Sequence, residues 1–213
     1  MPELRFPEFQ DAEPWEEKAL GEVFKRIKDK NKKNNKNVLT ISAQYGLISQ
    51  YDFFHKNVAA IDVLNYYLIK RNDFAYNKSR SQGYPYGAIK SLKLYEDGVV
   101  SPLYICFRLK NNDYNNDFFE QYFGAELINY EIGKMAQEGA RHHGLLNIST
   151  YDFFNKVLLF VPSPPEQNKI AACLRSIDED IIFTTQKIEQ LKNHKNALLQ
   201  QLFVNKQSYN MPN

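Results

Sequence analysis

The chain has 213 residues, of which 43% are hydrophobic, 24% charged and 14% aromatic. That excludes a disordered or fibrous chain, and the length suits one medium domain with an appendage, or two small domains. The formal net charge is only +2, from 27 bases and 25 acids, so any polyanion contact has to come from local charge. Cys106 and Cys173 lie far apart and outside metal-ligand spacing, which argues against a disulfide framework or a structural zinc site. No apolar run approaches the roughly 20 residues that span a bilayer, and the opening MPELRFPEF has no basic-then-apolar signal pattern. A reducing, cytoplasmic setting with no membrane partner is the expectation.

Charge is uneven along the chain. Residues 1–22 hold seven acids against Arg5 and Lys18, whereas residues 25–36 (KRIKDKNKKNNK) hold seven bases against Asp29. Residues 1–161 read as a mixed α/β domain. Residues 38–42 (VLTIS) alternate and are β-branched, as a strand requires. Gln44-Tyr45-Gly46 forms a turn, and 58–68 is apolar with spacing that fits either a helix or an irregular segment. Short strands at 74–77 and 88–94 flank a loop at 78–87. Residues 99–109 (VVSPLYICFRL) form the strongest strand run, with Pro102 marking an edge or a bulge. Residues 117–135 have the apolar spacing of one amphipathic helix, with Asn116 or Asp117 as its N-cap. A glycine-bounded loop at 139–149 leads to a last strand at 157–161.

The pattern changes at Pro162-Ser163-Pro164-Pro165. Ser163 and Glu166 stand at capping-box spacing, and no Gly or Pro follows until beyond Phe203. Apolar residues recur at Ile170, Leu174, Ile177, Ile181, Ile188, Leu191, Leu198 and Leu202. With Thr184 and Lys195 filled in, the steps alternate between four and three, which makes a heptad seam with two polar interruptions. A helix of about 37 residues within this segment, 162–204, would run roughly 55 Å. So long a one-sided stripe needs a second helix to cover it. Residues 205–213 read as a polar tail.

The sequence carries no phosphate-binding G-x-x-x-x-G-K-[ST], no G-x-G-x-x-G, no H-E-x-x-H and no G-x-S-x-G. No catalytic or metal-ligating residue is assigned, and His142-His143 has no partner at ligand spacing. The densest polar constellation is 77–86 (NKSRSQGYPY), which combines cations, hydroxyls and an amide, the groups that contact phosphates and base edges. Lys78, Arg80, Ser81, Gln82, Tyr84 and Arg141 are the candidate DNA contacts. His142, Lys30, Lys32, Lys33 and Lys36 form a second tier.

Taken in order, these pieces resemble the specificity subunit of type I restriction–modification systems. The resemblance rests on Trp15 with Leu20-Gly21-Glu22-Val23, Leu39-Thr40-Ile41-Ser42, Asp73-Phe74-Ala75-Tyr76-Asn77-Lys78-Ser79 and Tyr84-Pro85-Tyr86-Gly87-Ala88-Ile89. It continues through Gly98-Val99-Val100-Ser101-Pro102-Leu103-Tyr104, Gly139-Ala140-Arg141 and the Pro162 to Ala171 approach to the helix. It implies a target recognition domain that reads one half-site of a bipartite double-stranded DNA sequence. A long helix would follow, spacing two such domains and docking methyltransferase subunits and, through them, the restriction subunit. Family members hold two domains and two helices, whereas this sequence holds one of each and looks like a half-size form. An antiparallel homodimer joined along the seam would rebuild the two-fold arrangement, with a palindromic target. S-adenosylmethionine, magnesium and ATP are expected only in partner subunits. The residues themselves leave two rivals open: a coiled-coil interaction module that binds no DNA, and a self-sufficient nuclease with scattered carboxylates. Within the resemblance, a specificity subunit of a related type II system is the alternative.

Overall fold

The computed structural model describes residues 2–42, 45–54, 62–138 and 144–203. The chain divides into two units, Met1–Ala171 and Ala172–Asn213. The first is mixed α/β. Its strands are β1 (Glu16–Ala19), β2 (Phe24–Arg26), β3 (Leu39–Ser42), β4 (Gly46–Ser49), β5 (Tyr67–Lys70), β6 (Phe74–Asn77), β7 (Ala88–Ser91), β8 (Asp97–Val100), β9 (Ile105–Leu109), β10 (Gln137–Glu138), β11 (Leu146–Asn147) and β12 (Leu158–Val161). Its helices are α1 (Leu20–Val23), α2 (Gln50–Phe54), α3 (Asn116–Gly124), α4 (Asn129–Met135) and α5 (Thr150–Lys156). The long helix α6 (Pro164–Leu202) starts in this unit and continues as the second.

A four-stranded antiparallel sheet, in the order β2-β9-β6-β7, forms the middle of the first unit. Its side chains alternate between two cores, as period-two geometry demands. Phe24, Phe74, Tyr76, Ile105 and Phe107 face the cluster built with α3, α4 and α5. Ala75 and Cys106 face the other cluster, with Leu39 and Leu47 of the β3–β4 pair and Ile69 and Val100 of the β5–β8 pair. Burial there pushes the Cys106 thiol up to about 12, which keeps it protonated and unreactive at neutral pH. The high aromatic content goes into the helix-side core. Phe24 meets Phe107 and Phe119 edge-on, at 5.1 and 4.9 Å between ring centroids.

Several elements differ from the sequence reading: the strand read at 88–94 ends at Ser91, and the stretch at 58–68, whose residues 58–61 lie outside the described residues, runs into strand β5 at Tyr67. Residues 99–109 are not one strand: β8 and β9 belong to different sheets, separated by a turn in which Tyr104 N–H donates to the Ser101 carbonyl at 3.0 Å. Pro102 sits in that turn, where its missing N–H costs nothing. Residues 117–135 are not one helix either. The stripe of Phe118, Phe119, Tyr122 and Phe123 would bring Glu126 to the core. The backbone instead turns left-handed at Glu126 (φ 57°) and restarts as α4, with Ile128 and Ile132 buried. The N-cap of α3 is Asn115, whose side chain accepts from Phe118 N–H at 2.9 Å, so the predicted cap lies one residue or two too late.

The beginning and end of the unit are bound together. β1 pairs antiparallel with β12, from Glu16↔Val161 to Ala19↔Leu158. Gly21 packs so tightly that a Cβ there would sit 2.8 Å from the Phe154 carbonyl. Glu166 does not close a capping box with Ser163. Its carboxylate is 1% exposed and accepts both arms of Arg5, at 2.8 and 2.7 Å, and Trp15 Nε1–H at 3.1 Å. The Arg5 hydrogen bonds, assisted by Trp15, hold the Glu166 carboxyl below the usual carboxylate range. Gln167 donates to the Pro162 carbonyl and accepts from Asn115 N–H, both at 2.9 Å.

Candidate nucleic-acid interface

Two basic loops leave the same end of the central sheet. β6 ends at Asn77, and its neighbour β9 begins opposite Tyr76. β2 runs antiparallel to β9 and exits at that end too, with Ile27 N–H donating to the Cys106 carbonyl at 2.8 Å. The first loop therefore follows β6 and the second follows β2.

The loop at 78–87 is built by its own backbone. Ser79 N–H donates to Asn77 Oδ1 at 3.0 Å, and Arg80 N–H donates to the Gly144 carbonyl at 2.9 Å. Tyr84 N–H donates to the Ser81 carbonyl at 2.9 Å, closing a tight turn with Gln82 at its tip. Gly87 returns the chain at φ 79°, where a Cβ would lie 2.2 Å from the Asn77 carbonyl oxygen, so only glycine fits. Beneath the loop, the Tyr76 hydroxyl donates to the Tyr86 carbonyl at 2.7 Å. Arg80, Ser81 and Gln82 are exposed and Tyr84 is half-buried. Lys78 is placed differently: its ammonium turns to the Ile148 carbonyl at 3.4 Å, and burial lowers its pKa. Lys93, after β7, is held by Asp117 and Asn116 at 2.7 and 2.8 Å.

The lysine-rich loop owes its shape to asparagine. Asn31 is fully buried; its Nδ2 donates to the carbonyls of Asn35 and Val63, and its Oδ1 accepts from Asn35 N–H at 2.8 Å. Asn35 Nδ2 reaches Asp97 Oδ1 at 2.8 Å, and Asn37 Nδ2 reaches the Asp97 carbonyl. Lys32, Lys33 and Lys36 are left exposed on this scaffold. Lys30 donates to the Asn65 carbonyl at 2.7 Å and lies 4.2 Å from the centroid of the Tyr67 ring. Sequence reasoning missed the asparagines; their repetition beside lysines was the signal, since Asn favours such turns. Arg141 and His142 lie outside the described residues.

Together the loops offer ammonium groups for phosphates and an amide, hydroxyls and a guanidinium for base edges. In the second unit, every residue of α6 from Ala172 on is exposed. Ile177 is 50% exposed, Ile181 58%, Leu191 59% and Leu202 73%; Leu174, Ile188 and Leu198 are exposed too. Ile170, the first of the expected seam residues, packs against the core of the first unit. Ile182 and Phe183, off the seam, are also exposed. Among the described residues, no helix is long and apolar enough to cross a membrane.

A scan against protein-family models and a search of curated proteins both give no match. Solved structures do match. The HsdS subunit from Thermoanaerobacter tengcongensis aligns with a TM-score of 0.57 at 16% identity, over 89% of this chain and 48% of that one. A structure described as the basis of complex assembly and conformational transition of the type I R-M system aligns with a TM-score of 0.57 at 16% identity, over 91% of this chain and 50% of that one. The chain has the fold of an HsdS subunit. It spans about half the length of the HsdS-type chains it matches. The HsdS fold accounts for both units, the α/β domain and the long helix after it. The landmarks behind the sequence resemblance are largely framework. Leu20, Val23, Leu39, Asp73, Phe74, Val99, Glu166 and Gln167 are all buried.

Proposed function

We propose that this chain is a DNA-specificity component without catalytic activity of its own. It reads one half-site of a bipartite target through the loops at 78–87 and 31–37. It works as an antiparallel homodimer joined along α6 and directs methyltransferase chains, and through them a restriction subunit, to the site. Arg80, Gln82, Ser81 and Tyr84 are the base-reading candidates, and Lys32, Lys33 and Lys36 the phosphate anchors. The exposed pair Ile182 and Phe183 suits docking of a further chain beside the seam. S-adenosylmethionine, magnesium and ATP belong to the partners in this scheme.

The observation that carries the reading is the match of nearly the whole chain to one half of an HsdS subunit. A two-fold dimer of such halves presents two equivalent reading heads, and two-fold protein symmetry maps onto a palindromic target. The test is enrichment from a randomised duplex library, with the chain alone and with methyltransferase chains added. A two-part palindrome should emerge, with affinity falling steeply as salt rises. No enrichment in either arm sinks the proposal and leaves a coiled-coil interaction module. DNA cut or methylated by the purified chain alone revives the self-sufficient enzyme.

A further inference from the structure

Resting on that homodimer, we infer that the polar interruptions Thr184 and Lys195 set its helix register, each facing the other across the two-fold axis. The seam has two alternating sets of positions. One holds Leu174, Ile181, Ile188, Lys195 and Leu202, and the other holds Ile177, Thr184, Leu191 and Leu198. In an antiparallel pair, a residue of one set faces a residue of the other. In one register Thr184 meets the partner's Lys195, Ile188 meets the partner's Leu191, Ile181 the partner's Leu198, and Ile177 the partner's Leu202. Every apolar seam side chain from Ile177 to Leu202 then meets an apolar one. The two polar positions meet each other, so the lysine ammonium has a hydroxyl beside it. Ile170 is not needed, in keeping with its place in the core of the first unit.

The rival register slides one helix by a heptad. It sets Leu174 against the partner's Leu198, but also Ile177 against the partner's Lys195 and Thr184 against the partner's Ile188. Four polar side chains per dimer would then face hydrocarbon. In return, that register brings Asp178 near the partner's Lys192 and Asp180 near the partner's His194, while opposing the two copies of Lys187. Exposed ion pairs are weak and screened by salt, whereas a polar group against an apolar surface without a partner is penalised more heavily. The matched register therefore prevails. The choice matters for reading DNA. A slide of one heptad moves the two domains relative to one another by roughly 10 Å, about three base-pair steps at about 3.4 Å each. Thr184 and Lys195 thus set the gap between half-sites.

Disulfide trapping in the full chain, with Cys173→Ser as background, separates the registers. The Ile181→Cys/Leu198→Cys variant should run as a covalent dimer after mild oxidation, because those positions face each other in the matched register. The Ile181→Cys/Leu191→Cys variant should stay monomeric on the same gel. The reverse pattern overturns the register in favour of its rival. A dimer by light scattering that traps with neither pair overturns it as well. A stable monomer of the unmodified chain at micromolar concentration removes the homodimer itself, and with it the premise.

Discussion

The two units treat their apolar residues in opposite ways. In the first, Phe24, Phe74, Phe107, Phe119 and Phe153 are at most 1% exposed and pack on one another. In the second, leucines and isoleucines recur with equal regularity and stay open to solvent. The first unit buries its large apolar side chains within itself, while the second leaves its own exposed, where the proposed dimer would cover them. Substitutions should therefore separate cleanly between stability and assembly.

Phe107→Ala should have the largest effect. It removes a ring from the centre of the aromatic cluster and should cost about 3–5 kcal/mol of unfolding free energy, read by urea denaturation. Leu191→Ala should leave that unfolding curve unmoved and weaken self-association instead, by about 2 kcal/mol for each copy, read by sedimentation. A common shift of both readouts by either variant would break the contrast between the units.

Glu166→Gln should come next and lower the melting temperature by several degrees, because it leaves the Arg5 guanidinium without its carboxylate. The same pair gives an acid dependence. The folded carboxyl titrates below its unfolded value of about 4.3, so its contribution is complete above that value. It is lost as pH falls through the lower folded value. Wild type should thus lose stability on acidification more steeply than Glu166→Gln. Parallel acid profiles for the two proteins would remove Glu166 from the account.

The smallest effects test the loops. Lys33→Ala should weaken binding to all duplexes alike and lower the salt slope by about one. Lys78→Met should leave the slope unchanged, since its ammonium is turned to the Ile148 carbonyl. Equal slopes for the two variants would mean that the inward placement of Lys78 does not hold on DNA.

Legibility followed the range of the forces involved. The strands at Phe74–Asn77 and Leu39–Ser42 were readable because β-branched and aromatic residues at period two signal locally. The long helix α6 was readable for the same reason at period 3.5. β1 was not: its residues, Glu16-Glu17-Lys18-Ala19, carry no strand signal and gain their conformation only from β12, far along the chain. The split at Glu126 could be found only by extending the aromatic stripe one more turn and meeting a carboxylate. In the candidate site, residue type pointed to two loops that leave the same end of the sheet, but not to side-chain direction. That is why Lys78 stood among the candidate DNA contacts although the fold turns its ammonium to the Ile148 carbonyl. The buried role of Asn31 was equally hidden, because it depends on backbone groups near Val63.

The pairing of β1 with β12, and of Arg5 with Glu166, also imposes an order of events during translation. The first strand leaves the ribosome more than a hundred residues before its mate, and until then it is an unpaired edge among exposed acids. The seven carboxylates in residues 1–22 repel their counterparts on neighbouring nascent chains and keep that edge soluble while it waits. The first unit can close only once Glu166 has emerged, when α6 has barely begun to be made.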